Sequence, residues 1–290
     1  SRVLINTIHA FITLLDSCLN EYLKVIHTIV TSIVIIFVHT NAFASDSNFD
    51  FDSVCIKNEN QVNNIVPRSF IISDVDVIDG TGSPSVTGQN LAIADGYFID
   101  VGKVEVDKVN KKTVTINGKG KTVIPGFIMM HEHIFYPTSE NNYMEMLNSF
   151  PALYLAGGTT TIRTAGSMNA TAVLNLKKRI ELGLSIGPDI DVSAPYMNGP
   201  GLPILKMKEL DGVEDVKRQV DYWVKEGVTS FKAYTNIRTT ELQALISQAH
   251  NNNLKVTGHL CSITYRDAAN MGIDNIEHGF VSMTDFVVNK

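Results

Sequence analysis

The chain has 290 residues, 44% of them hydrophobic and 19% charged, with a formal net charge of −6. This is the balance of a globular protein long enough for one large α/β domain and a small appendage, and its mild acidity, with no Lys/Arg-rich run, argues against a nucleic-acid surface. Cys18, Cys55 and Cys261 are too few and too scattered for a disulfide framework or a thiolate metal site.

Residues 1–44 read as a leader. Lys24 precedes an apolar run from Val25 to Val38, and Ala42-Phe43-Ala44 supplies a small-x-small exit before the polar Ser45-Asp46-Ser47-Asn48. Basic start, short apolar centre and small-residue exit make a secretory signal, so the expectation is export, periplasmic or secreted. The run is short for a membrane span, and a buried strand or N-terminal anchor is the competing reading. Residues 1–22 begin on Ser1 upstream of that signal and are assigned no function. A polar, Asn- and Asp-rich lead-in occupies 45–68.

From 69 to 124 the pattern turns to short β-branched runs. Phe70-Ile71-Ile72, Val75-Asp76-Val77-Ile78, Leu91-Ala92-Ile93 and Thr113-Val114-Thr115-Ile116 are strand candidates. Asp79-Gly80-Thr81-Gly82, Asp95-Gly96 and Asn117-Gly118 mark reversals between them. A small β-sandwich-like domain is expected here.

After Pro125-Gly126 the grammar becomes strand, loop, helix, repeated over 125–290. Strand cores fall at 127–133, 159–163, 189–193, 229–234, 255–259 and 275–278. Val213, Val216, Val220, Trp223 and Val224 recur at helical spacing before Gly227; Leu242, Leu245, Ile246 and Ala249 do so behind a Thr240 cap. Six βα units in parallel favour an incomplete TIM-like (β/α)8 barrel.

Histidines carry the chemical signal. Past the leader they are His131, His133, His250, His259 and His278, and four of these end expected strands, on the face where barrel active sites assemble. In an extended strand His131 and His133 share a face, which makes half a metal site, although taken alone the pair is equally open to a core or surface reading. Lys232 ends the fourth strand, where burial would depress its pKa and free a nucleophilic amine. Cys261, two residues after His259, could face the site but reads first as a buried inert thiol, and His250, near a helix end, as solvated or in favourable contact with the C-terminal dipole. Arg163 is open between substrate contact and structural ion pair. The loop Asn198-Gly199-Pro200-Gly201-Leu202-Pro203 is a turn first and a substrate lid second.

The run Val123-Ile124-Pro125-Gly126-Phe127-Ile128-Met129-Met130-His131-Glu132-His133 resembles the first barrel strand of the amidohydrolase superfamily. Val77-Ile78-Asp79-Gly80-Thr81-Gly82 is similar to the start of its small β-domain, and Gly157-Gly158-Thr159-Thr160-Thr161-Ile162-Arg163 to its second strand. The Lys-x-Tyr pattern looks most like the prolidase-type and imidazolonepropionase-type branches. The resemblance implies two divalent cations, zinc by expectation. His131 and His133 would hold one, His259 and His278 the other, and a CO2-derived carbamate on Lys232 would bridge them. It further implies hydrolysis of an amide-type C–N bond, in a dipeptide-like or cyclic amide small molecule, by activated water. Tyr234, on the strand face of Lys232, would then donate to the developing oxyanion, unless it is a core tyrosine. Met129 stands where the family usually has Asp. The family's eighth-strand aspartate has no match before Lys290, so the chain reads as C-terminally truncated. A non-catalytic remnant, or an enzyme completed by a second chain as a homo-oligomer, are the competing readings.

Overall fold

The structure is a computed structural model that describes residues 34–36, 69–94, 97–102, 104, 113–139, 142–202, 204 and 207–286. The signal and lead-in expectations, the Asp95-Gly96 reversal and Pro203 fall outside these residues, apart from Val34–Ile36. The chain forms two compact units. Of the described residues, one holds those up to Phe127 with Tyr154–Thr160 and Ile180–Pro188; the other holds those in Ile128–Leu153, Thr161–Arg179 and from Asp189 onward.

The first unit is built on one six-stranded sheet of β1 (Val34–Ile36), β2 (Ser69–Val77), β3 (Val86–Ala94), β4 (Tyr97–Gly102), β5 (Val114–Asn117) and β6 (Thr122–Ile124). The order is β1-β6-β2-β3-β4, with β5 also paired to β2. A sandwich needs two facing sheets; among the described residues these strands form one. Phe70-Ile71-Ile72 and Val75-Asp76-Val77 look like separate strands because their alternation slips, yet they are one strand. The register shifts between Ile72 and Val75, where Asp74 takes a φ of 55°. The extra residue restores parity, so Phe70, Ile72, Val75 and Val77 all face the same core as Leu91, Ile93 and Val123. Gly118 closes the β5 turn because a Cβ there would sit 2.8 Å from that of Val75.

Next in the chain come β7 (Phe127–Glu132), a hairpin of β8 (Phe135–Ser139) and β9 (Asn142–Glu145), α1 (Phe150–Ala156), β10 (Thr159–Thr164), α2 (Ala170–Glu181) and β11 (Asp189–Asp191). They are followed by α3 (Gly212–Glu226), β12 (Ser230–Ala233), α4 (Thr239–Asn251), β13 (Lys255–Gly258), α5 (Tyr265–Asn270) and β14 (Asn275–Ile276). The β8–β9 hairpin was not expected, since its residues carry no Asn-Gly or Asp-Gly turn signal. The sheets run β7-β10-β11 and β12-β13-β14. Parallel bridges Ser193↔Ser230 and Met197↔Ala233 join β11's continuation to β12. The β10–β11, β12–β13 and β13–β14 pairs are all parallel, so the architecture is α/β with strands adjacent in chain order.

Helices α3 and α4 form where the apolar period demanded them. Val216, Val220, Leu242, Leu245 and Ile246 are buried with Phe231, Ala233 and Val256, each large side chain contributing ~1.5–3 kcal/mol. Gly227 ends α3 in the left-handed region at φ 92°, its N–H bonding to the Trp223 and Val224 carbonyls. The N-cap of α4 is Arg238, not Thr240. The cap function passes to buried Glu241, whose carboxylate accepts from the Arg238 amide at 3.0 Å, its guanidinium at 2.6 Å and the Gly212 amide at 3.1 Å. One carboxylate thereby ties the starts of both helices.

Two substitutions separate these effects in urea unfolding. Nothing lies within 4 Å of a Cβ at Gly227, so Gly227→Ala meets only the backbone penalty, about 1 kcal/mol. Glu241→Ala removes a buried carboxylate together with the three hydrogen bonds it accepts, one of them from a guanidinium, and should cost about 2–3 kcal/mol; a Glu241→Ala loss no larger than that of Gly227→Ala would contradict this account.

Candidate active site

Parallel strands present their C-terminal ends on one side, and the second unit's titratable residues gather there. His131 lies in β7 and His133 follows it; Lys232 lies in β12; His259 directly follows β13; Glu277 and His278 directly follow β14. The imidazoles form a contiguous set. Ring centroids are 5.2 Å apart for His131–His133, 4.6 Å for His131–His278 and 4.5 Å for His259–His278. Tyr234 extends it, 5.1 Å from His259 and 4.7 Å from Tyr196. All four strand-end histidines, Lys232 and Tyr234 are therefore brought together; among the positions singled out in the sequence, His250 is elsewhere, bonded through Nε2 to Asp274 at 2.8 Å.

Glu277 stands at the centre. Its Oε2 lies 2.6 Å from His131 Nδ1, and its Oε1 accepts from Arg163 Nη2 at 2.8 Å and from the Thr257 hydroxyl. Lys232 Nζ is 3.5 Å from the same Oε1, makes no hydrogen bond, and is 1% exposed. Arg163, left open between two roles, is an ion-pair partner here, and its Nε also donates to the Met130 carbonyl at 2.8 Å. Glu277 was missed in the sequence although two buried cations at strand ends called for a counter-charge. Tyr196, whose hydroxyl lies 3.3 Å from His133 Nδ1, and Thr257 were missed too. Both are polar residues inside apolar-looking runs, with no signal of their own.

His278 sits in the left-handed region at φ 65°, strain that surrounding contacts must hold. The Tyr265 hydroxyl does so, donating to the Gly279 carbonyl at 2.8 Å and sharing a 2.5 Å bond with Ser282 Oγ. Cys261 is exposed, against the expectation of a buried thiol, because Leu260 takes the interior position after β13. In the 198–202 turn a Cβ at Gly199 would clash with the Asn236 carbonyl, and the Asn198 side chain accepts from the Asn236 amide at 3.0 Å.

Electrostatics follow from burial. Desolvation first, then the charges of His131 and Lys232, push His133 down to about 4. His259 falls to about 4 through burial and the neighbouring His278. Burial brings Lys232 down to about 8 against the pull of Glu277. Burial would raise Glu277, but the His131 and Thr257 hydrogen bonds and the Lys232 charge hold it well below the usual carboxylate range. Burial raises Tyr234, so its hydroxyl keeps its proton.

Among the described residues, no three His, Cys, Asp or Glu side chains converge as a ready metal cage. The donor chemistry still fits divalent cations: neutral imidazoles on several strands beside a buried Lys232 amine without a hydrogen bond.

A sequence profile of the amidohydrolase family matches residues 122–283, more than half of the 290-residue chain. The chain belongs to the amidohydrolase family. An imidazolonepropionase from Alkaliphilus oremlandii is 28% identical over 139 residues, 44% of this chain and 32% of its own length. Among solved structures, a Xaa-Pro dipeptidase with methionine bound in its active site superposes at a TM-score of 0.59 with 20% identity, covering 73% of this chain and 61% of that one. A prolidase complexed with N-methylphosphonate-L-proline gives 0.57 and 23%, with the same two coverages of 73% and 61%. These structures share the fold. This amidohydrolase chain spans about a third of the curated relative and about three fifths of the solved chains.

The shift of Lys232 has a testable sign. A lysine whose folded value lies below the 10.5 of the free side chain adds its stability above 10.5 and loses it as pH falls through about 8. In chelator-treated protein, the unfolding free energy of wild type minus that of Lys232→Met should rise between pH 8 and 10.5. The slope reaches at most ~1.4 kcal/mol per pH unit. A flat difference across that window would show that the amine is not desolvated.

Proposed function

We propose that residues 125–290 are part of a (β/α)8 barrel, preceded by a small β-domain at 69–124, and that its strand-end cluster hydrolyses an amide-type C–N bond in a small molecule. The observation that carries this reading is the gathering of His131, His133, His259, His278 and Lys232 from four strands around one buried carboxylate. Barrel enzymes place their chemistry at that end of the strands. The folds of the prolidases and the sequence of the imidazolonepropionase point to two substrate types, a dipeptide with a C-terminal proline or a cyclic amide. The apolar run and Ala42-Phe43-Ala44 support export of the protein.

In this reading His131 and His133 would hold one divalent cation and His259 and His278 a second, with Lys232, as its carbamate, a further ligand. Such cations, zinc being suited to imidazole ligands, supply Lewis-acid polarisation of a carbonyl and bring the acidity of water near neutrality. The protein's own groups prepare the rest. Burial eases Lys232 toward the neutral amine that takes up CO2. Low histidine pKa values keep the imidazole lone pairs free for ligation at neutral pH. The protonated Tyr234 hydroxyl beside His259 is placed to donate to the oxyanion that forms when water attacks the substrate carbonyl.

The test is hydrolysis by the full chain, with zinc and bicarbonate added, of a panel of Xaa-Pro dipeptides and 4-imidazolone-5-propanoate. Turnover should vanish on chelation and fall on the order of 100-fold or more in Lys232→Ala, with bound zinc reduced. Full activity and two retained metals in Lys232→Ala would overturn the bridging role.

A further inference from the structure

We propose that Glu277 is a positioning residue that fixes the tautomer of His131, placing the ring proton on Nδ1 and leaving Nε2 as a free lone pair facing the histidine cluster. The consequence for metal affinity rests on the function proposed above; the tautomer itself does not.

Arg163 Nη2, which can only donate, and the Thr257 hydroxyl both meet Oε1, with Lys232 Nζ 3.5 Å away. That surrounding makes Glu277 an acceptor, and its other oxygen, 2.6 Å from His131 Nδ1, can be satisfied only if Nδ1 carries the hydrogen. The carboxylate is 6% exposed and both its oxygens are engaged by protein donors, so it acts through His131 rather than as a ligand itself. Arg163 stiffens the arrangement, since Nε holds the Met130 carbonyl, one residue before His131, while Nη2 holds the carboxylate. An imidazole so fixed offers its second nitrogen in one orientation, the usual device by which a carboxylate behind a histidine raises its ligand strength.

The isosteric variant gives a sharp contrast. In Glu277→Gln, Arg163 and Thr257 require the amide oxygen on their side, which turns the NH2 toward His131. Nδ1 must then accept, and the ring proton moves to Nε2, the nitrogen meant for ligation. The experiment is 15N NMR of histidine-labelled, chelator-treated full chain, with the His131 signals assigned by their loss in His131→Gln, followed by zinc affinity from chelator competition. Wild type should show the Nδ1–H form, and Glu277→Gln the Nε2–H form with zinc affinity about 10–100-fold weaker. A wild-type His131 protonated at Nε2, or a Glu277→Gln protein with unchanged tautomer, would overturn the inference, and the wild-type measurement decides even if Glu277→Gln does not fold. Absence of zinc from a wild-type protein with the Nδ1–H tautomer would instead overturn the proposed function and leave the positioning role standing.

Discussion

Two cations, Lys232 and Arg163, are taken out of water at neighbouring strand ends, at 1% and 12% exposure, and one carboxylate answers both. The penalty for desolvating each ion is several kcal/mol, so neither would stay buried without a counter-charge. Glu277 supplies it, and its remaining capacity is taken up by His131 and Thr257. Side chains from β7, β10, β12 and β13 thus meet a residue that directly follows β14. The parallel order of strands brings these ends to one side, but the carboxylate is what allows so polar a group to persist there.

The balance at this site is uneven. Lys232 reaches Glu277 only at 3.5 Å and makes no hydrogen bond, so its amine is the least satisfied member of the network. His278 is held at a left-handed φ of 65° by contacts around Tyr265. These local losses are offset behind the site, where α3 and α4 pack Val216, Val220, Leu242 and Leu245 against Phe231 and Val256. Strain and poor solvation in front of a well-packed core are the usual condition of a site prepared to take up something further.

The sequence was most legible where one periodicity ruled. The helices at 212–226 and 239–251 lie where the apolar spacing placed them, because each buries a single face. The six strand cores lie where the short apolar and β-branched runs placed them, with no common one-face pattern: the 230–233 strand is buried at all four positions and the 127–132 strand at none. Local rules failed where two local signals compete or look alike. Arg238 caps α4 because Glu241 reaches back to it, so the Thr240 signal was idle. The slip between Ile72 and Val75 was read as a strand break, since a one-residue bulge and a short turn disturb alternation alike. The histidines and Lys232 stood out because such side chains are rare at strand ends. Glu277 did not, since an acidic residue beside a glycine-flanked histidine reads as surface until Arg163 and Lys232, more than forty positions upstream, are seen to converge on it.

The central claim is that imidazoles from three separate β-segments surround one common ionic centre. Anomalous diffraction at the zinc edge, from crystals of the full chain grown with zinc and bicarbonate, tests it most directly. Strong anomalous peaks should be enclosed by His131, His133, His259 and His278, with density extending from Lys232 Nζ toward them. Zinc found only at exposed sites such as His250–Asp274, with those four imidazoles bare, would contradict it.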